Sequence, residues 1–224
     1  MYQSTAIIVF ARTAEAEARE KHLFLHNGRV NKKLLQVLRE HTLRTVRRTE
    51  LPYYIFSEEE QIGESFAVKI TNAYSKVFAM GYKNVIGIGA DVPCVTSKEI
   101  LKAATLLDEN KVVCGPTQCG GSYLLGINNL LFNPETFLNL AWQTNNLFED
   151  VANKFKDIYI LDELQELNDA SQLLQFTVAK NRLNGIAVQL LKIIQSFLHN
   201  IRRFGNAASS IKSYSSLQLL ARAP

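Results

Sequence analysis

The 224-residue chain is poor in the residues that would suggest a scaffold held by staples or a chain without a core. It has 3 cysteines (Cys94, Cys114 and Cys119), an odd number with no CxxC pair and no histidine at zinc-ligand spacing. That excludes a disulfide framework and a structural zinc site, and fits a reducing compartment. Only 5 prolines and 11 glycines occur, so no low-complexity linker divides the chain. No run approaches the roughly 18 apolar residues of a spanning helix. The start lacks a basic stretch before its short apolar run, so no secretory signal is expected. Neither a GxxxxGK[ST] loop nor a complete GxGxxG is present; Gly87-Ile-Gly89 lacks its third glycine, with Val92 in that place. P-loop hydrolysis and hydride transfer lose their usual support.

What the chain has is an ordinary globular composition, 47% hydrophobic and 21% charged. Its formal charge of +4 is unevenly spread. Residues 180–224 carry seven basic residues and no acid, leaving a mildly acidic body and a basic tail. In the body, apolar runs alternate with helical patterns. Strands are expected at 5–10, 51–56, 84–89, 111–115, 122–127 and 159–161. Helices are expected at 31–48, 64–80 (ended by Gly81), from a Thr96 or Ser97 cap to about Glu109, and from Asp169 through Leu174. This alternation predicts an α/β fold, with a mostly parallel sheet flanked by helices.

Ligands of such sheets bind beyond the carboxyl ends of the strands. After strand 84–89, Gly89 and Ala90 leave room for a ligand, and Asp91 is either a ligand of a hard cation or a turn cap. The Gly120-Gly121 pair suits close approach of a substrate or a plain hairpin turn. Cys119 has no histidine near it in sequence and reads as an inert thiol.

These same segments carry a resemblance. Gly81-Tyr-Lys-Asn-Val-Ile-Gly-Ile-Gly-Ala-Asp-Val-Pro-Cys-Val-Thr96, Gly115-Pro-Thr-Gln-Cys-Gly-Gly-Ser-Tyr-Leu-Leu-Gly126 and Trp142-Gln-Thr144 are similar to the ordered motifs of a bacterial family of unknown function, of glycosyltransferase-A-like (nucleotide-diphospho-sugar transferase-like) type. The first strand with Ala11 and Arg12, and Gln61 through Phe66, Lys69, Asn72 and Ala73, fit the same pattern. The resemblance spans residues 5 to about 175. It implies a Rossmann-like, mixed, mostly parallel sheet and transfer of a sugar from a nucleotide sugar with Mg²⁺ or Mn²⁺. Asp91 falls on the acidic position expected to hold the metal and serve catalysis. Substrate contacts are implied for Ala11, Arg12, Gly89, Gly120, Gly121, Tyr123 and Trp142, with Trp142 equally readable as a packing anchor.

The chain also departs from that pattern. The basic loop expected after the first strand reads Thr13-Ala-Glu-Ala-Glu-Ala-Arg-Glu-Lys21, Cys119 replaces an aspartate, Ser122 replaces a tyrosine, and a late acidic motif is reduced to Glu166 through Leu173. Two alternatives therefore stand beside the transferase: a nucleotide-binding homologue or scaffold with impaired catalysis, and a nucleotidylyltransferase.

The expected domains are 1–178 for nucleotide-sugar binding and 179–224 for a basic C-terminal helix and loosely ordered tail. On a helical wheel the apolar residues of 186–204, Val188 excepted, fall within an arc of about 160°. Such a helix docks on the body or on a second copy in a homodimer, or, less favoured, on a membrane surface. Nucleic acid is not an expected partner, and a cytoplasmic location is expected.

Overall fold

The computed structural model describes residues 4–25, 27–109, 111–178 and 185–204. The expected loose tail beyond Gly205 lies outside them. Packing divides the chain into two compact units, one of Met1–Thr13 with Arg39–Glu166, the other of Ala14–Leu38 with Leu167–Pro224.

The first unit is built on a six-stranded sheet: β1 (Thr5–Phe10), β2 (Tyr53–Phe56), β3 (Asn84–Ile88), β4 (Val112–Pro116), β5 (Ser122–Asn128) and β6 (Ile158–Ile160), in the order β2-β1-β3-β5-β4-β6. β1 pairs in parallel with β2 and β3, and β4 with β6; β5 alone runs antiparallel, between β3 and β4. The sheet is thus mixed and mostly parallel, as the sequence predicts. β1 and β3 are buried on both faces, which is why TAIIVF and NVIGI read as unbroken apolar runs.

Helices cover both faces. α3 (Phe66–Ala79) contributes Ile70, Ala73, Tyr74 and Val77 to one apolar cluster, with Phe137 from α5 (Pro134–Leu138) and Leu147 and Val151 from α6 (Leu147–Lys154). α4 (Ser97–Asp108) supplies Ile100, Ala103, Ala104 and Leu107 to the other, with Leu43 and Val46 from the C-terminal part of α2 (Gly28–Arg47). The helix starts follow local chemistry. The Ser65 hydroxyl accepts from Val68 N, and Thr96 and Glu99 form a reciprocal capping box, so Thr96 rather than Ser97 is the cap. Gly81, at φ 93°, follows the last turn of α3.

Two glycines in the sheet have a packing reason. A Cβ on Gly87 would strike the Tyr74 hydroxyl, which crosses beneath β3 to donate to the Leu125 carbonyl (2.6 Å). A Cβ on Gly115 would strike the Tyr123 ring in the same way. Gly87 therefore serves the core.

The second unit contains α1 (Ala14–Glu20), the N-terminal part of α2, α7 (Ala170–Val178) and α8 (Gly185–Phe204). The stretch 13–21, read from sequence as a loop, is thus mostly helix. Its alanines and glutamates are good helix formers, with Glu15 and Glu17 in the first turn and Arg19 in the last, which complements the helix dipole. Asn31 is buried and closes the turn before α2, accepting from Leu23 N and Phe24 N and donating to the Lys21 carbonyl. α8 packs on α7; its Ile186, Leu190, Leu191, Ile194 and Leu198 are buried, and Phe197 meets Phe24 edge-on at 5.3 Å. These described residues of the apolar face expected from the wheel are therefore buried in the protein. No helix among the described residues is long and apolar enough to cross a membrane.

Candidate functional site

β1 lies between β2 and β3. The chain reaches β2 past Leu43 and Val46 on one face and β3 through α3 on the other, so the connections diverge from β1. That divergence is the topological switch point at which open α/β sheets bind ligands, beyond the strand carboxyl ends.

Four short segments meet at this edge. Ala11, Arg12 and Thr13 follow β1; Gly89, Ala90 and Asp91 follow β3; Ser57 and Glu58 follow β2. Parallel register aligns their exits, with Phe10 opposite Phe56 and Val9 opposite Ile88. Because β5 is reversed, the β4–β5 hairpin turn with Cys119, Gly120 and Gly121 also opens here, Leu124 pairing with Ile88.

The structure brings Ala11, Arg12, Gly89 and Asp91 onto adjacent strand ends. Arg12 and Asp91 are half-buried, whereas Ala11 belongs to the core. A Cβ on Gly89 would lie 3.0 Å from Asp91 Oδ1, so this glycine makes room for the carboxylate itself. His41 of α2 lies under the same turn, its Nε2 3.0 Å from the Pro93 carbonyl oxygen. Burial, with Arg44 and Arg48 adding to it, holds the His41 pKa below its usual value against the opposing hydrogen bond to Pro93.

The other expected contacts are engaged with the protein's own backbone and rings. Gly120 has φ 78° and sits against the Asn145 carbonyl, and its carbonyl accepts from Phe148 N (3.0 Å); a neighbouring backbone turn, not open space, demands this glycine. Gly121 N donates to Thr117 Oγ1 (3.1 Å), completing the hairpin. Tyr123 is 2% exposed, and its hydroxyl donates to the Asp162 carbonyl; burial raises its pKa. The Trp142 indole donates to the Phe137 carbonyl (2.7 Å) and packs against Phe66 and Phe137. Tyr123 and Trp142 thus spend their polar atoms on backbone carbonyls.

Cys119 is exposed at the hairpin turn. Cys114 is buried in β4, its Sγ 3.3 Å from Ser122 Oγ, and burial pushes its thiol up to about 11. Gln61 and Asn72 donate to the carbonyls of Phe56 and Ile62 and hold the path between β2 and α3.

Sequence reasoning missed a contact at the same edge. Thr13 donates twice to the Glu58 carboxylate, from N to Oε2 (2.7 Å) and from Oγ1 to Oε1 (2.5 Å). Forty-five residues separate the two, and no motif marks them. Their positions just past paired strands β1 and β2 are the signal that could have found them.

A search of the curated proteins gives no match. Among solved structures, the fold is similar to that of a candidate nucleotide-diphospho-sugar transferase from Desulfovibrio desulfuricans G20. The TM-score is 0.75 at 17% identity, covering 89% of this chain and 98% of that one. It is also similar to the Mycobacterium sp. strain JC1 homologue of Mycobacterium tuberculosis Rv0371c, with a TM-score of 0.52 at 8% identity, covering 86% and 100%. Residues 31–144 match the model of a bacterial family described as uncharacterized protein conserved in bacteria, DUF2064. The chain belongs to that family, and its mixed sheet has the nucleotide-diphospho-sugar transferase-like fold.

Proposed function

We propose that the protein is a transferase that takes a sugar from a nucleotide-diphospho-sugar donor bound at the β1–β3 switch point. The observation that carries this reading is the placement of Asp91. It is the carboxylate at the carboxyl end of β3, next to the exit of β1, within a run that matches the family model. Ala11, Arg12 and Gly89 line the same edge. Tyr123 and Trp142 support the site from behind through the contacts described above.

Among the described residues, no group of three His, Cys, Asp or Glu side chains could hold a metal. One carboxylate is what the β3 exit offers, and that fits a Mg²⁺ or Mn²⁺ ion taking most of its ligands from a diphosphate and water. When bound, such an ion would neutralise charge on the leaving diphosphate. The chain's own contribution is positioning: Asp91 is held by the tight Gly89-Ala90 turn, and Arg12 adds positive charge at the adjacent strand end.

A second reading, binding without turnover, is favoured by Cys119. The exposed position at the hairpin turn carries a thiol where the family pattern has a carboxylate. Both readings place the protein in the cytoplasm.

Calorimetric titration with a panel of nucleotide sugars, with and without Mn²⁺, separates them. A transferase binds one nucleotide class in a Mn²⁺-dependent manner and loses turnover in Asp91→Ala. Binding without turnover in the wild type selects the second reading. No binding of any donor sinks both.

A further inference from the structure

The turn that carries Asp91 is fixed at both ends and thinly in between. It leaves β3 at Ile88, which is in register with Val9 on one side and Leu124 on the other, and it ends at Thr96, the cap of α4. Among the described residues, the backbone bond that closes the turn on itself is a long one, Val95 N to Val92 O (3.3 Å). Pro93 is buried and has no N–H to give, so its carbonyl needs a donor. His41 supplies it from outside the turn, through Nε2 at 3.0 Å.

The helix that bears this ring is firmly seated. Leu43 and Val46 of α2 are buried in the same apolar cluster as Ile88 and Val92, so helix and turn are referred to one core. A carbonyl oxygen only accepts, so Nε2 carries the proton and Nδ1 is the unprotonated nitrogen of the neutral ring. Burial, against the Pro93 bond and with the charges of Arg44 and Arg48, favours that neutral form.

Packing alone does not join helix to turn. A small cavity, with room for about one water molecule, lies between His41, Thr42 and Thr45 of α2 and Gly89, Val92 and Val95 of the turn. Across that gap the His41–Pro93 hydrogen bond is the polar tie. Gly89 borders the cavity, and a Cβ there would lie 3.0 Å from Asp91 Oδ1. Movement of the turn into the cavity therefore carries the carboxylate with it.

We infer that His41 is a positioning residue for Asp91: its Nε2–H, on the Pro93 carbonyl, sets where the carboxylate stands at the β3 exit. The inference rests on the reading of this edge as the donor site and adds to it a residue from α2 that acts through the backbone of the turn. A carboxylate that serves a cation has to be held to within about 0.5 Å. Loss of a group that orients a metal ligand costs about 10- to 100-fold in affinity.

The test is calorimetric titration of the full chain with inorganic pyrophosphate in the presence of Mn²⁺ and, separately, with a panel of nucleotide sugars. His41→Leu removes the donor and keeps much of the bulk, and is expected to weaken Mn²⁺-dependent pyrophosphate binding about tenfold. His41→Gln places an amide N–H near the position of Nε2 and should restore most of that loss. Equal losses in the two variants overturn the inference, because the ring rather than its hydrogen bond would then be what matters. A tie that serves the fold alone predicts a lower melting temperature for His41→Leu with unchanged affinity; that result also overturns the inference and leaves the donor site standing. If His41→Leu does not fold, the wild type decides by ¹⁵N NMR of the imidazole. Filling the site with Mg²⁺ and pyrophosphate should slow solvent exchange of the Nε2 proton, and an unresponsive His41 signal is fatal to the idea. If the wild type binds neither pyrophosphate nor any sugar donor, the donor-site reading fails and the role of His41 falls with it.

Discussion

At the amino-terminal end of β3, Asn84 is fully buried and donates to Asp108 (2.7 Å) and Thr5 (3.3 Å) while accepting from Asn128 (2.9 Å); Asn128 in turn accepts from Leu130 N. Past the carboxyl end of the same strand, Gly89, Ala90 and Asp91 form a tight, half-exposed turn of small residues around one carboxylate. One strand thus joins a polar network whose Thr5, Asn84 and Asn128 are buried, with Asp108 at its exposed end, to an edge where charge stays accessible. The first arrangement specifies register, since a slip by one residue would orphan every member. The second leaves room for a ligand.

Substitutions at the two ends should separate these roles. Asn84→Ala strands the buried Asn128 amide and is expected to cost about 3 kcal/mol in urea unfolding, without changing ligand affinity. In mid-strand, Gly87→Ala drives a methyl into the Tyr74 hydroxyl and should cost about 2 kcal/mol; adding Tyr74→Phe should recover part of that loss, which a double-mutant cycle measures. Tyr123→Phe removes the bond to the Asp162 carbonyl, for about 1 kcal/mol. A change in donor affinity in that variant would return Tyr123 to the binding surface. Asp91→Ala should leave the chain folded, with a stability loss below about 1 kcal/mol, while abolishing the turnover proposed above. If Asp91→Ala instead unfolds the protein, the contrast between the two ends collapses.

The smallest effect is pH-dependent and belongs to the carboxyl end. His41 has a folded pKa below its unfolded value of 6.5, so the unfolded chain binds its proton more readily. Its contribution is therefore present above pH 6.5 and is lost as pH falls from there through the folded value. His41→Gln should flatten the stability profile below pH 6.5, measured by denaturant midpoints.

The sheet was legible because its strands are short apolar runs bounded by polar turns, and five of them share one direction through helical crossovers. The reversal of β5 was not legible from strand runs alone; it follows from the tight hairpin at Thr117–Gly121, where the next strand must turn back. α1 was not legible because its residues stand where the family pattern has a basic loop, although their alanines and glutamates favour a helix. At the site, Asp91 could be placed by its position after an apolar strand. Gly87, Gly115 and Gly120 could not be interpreted, since nothing local reveals that Tyr74, Tyr123 and Asn145 fill the space beside them. Thr13 and Glu58 become neighbours only when β1 and β2 are paired.

The reversed strand has a consequence for how the molecule is made. β4 and β5 are joined by a tight turn and pair antiparallel, so this hairpin closes locally on the microsecond scale. β1 meets β3 only by pairing residues some eighty positions apart, from Thr5 with Asn84 to Val9 with Ile88, after both crossovers have been placed. Loop-closure entropy delays such non-local parallel pairing. The hairpin side of the sheet is thus set early, and the edge that carries Asp91, Thr13 and Glu58 assembles last. During synthesis or refolding, the candidate site is complete only when the whole sheet is.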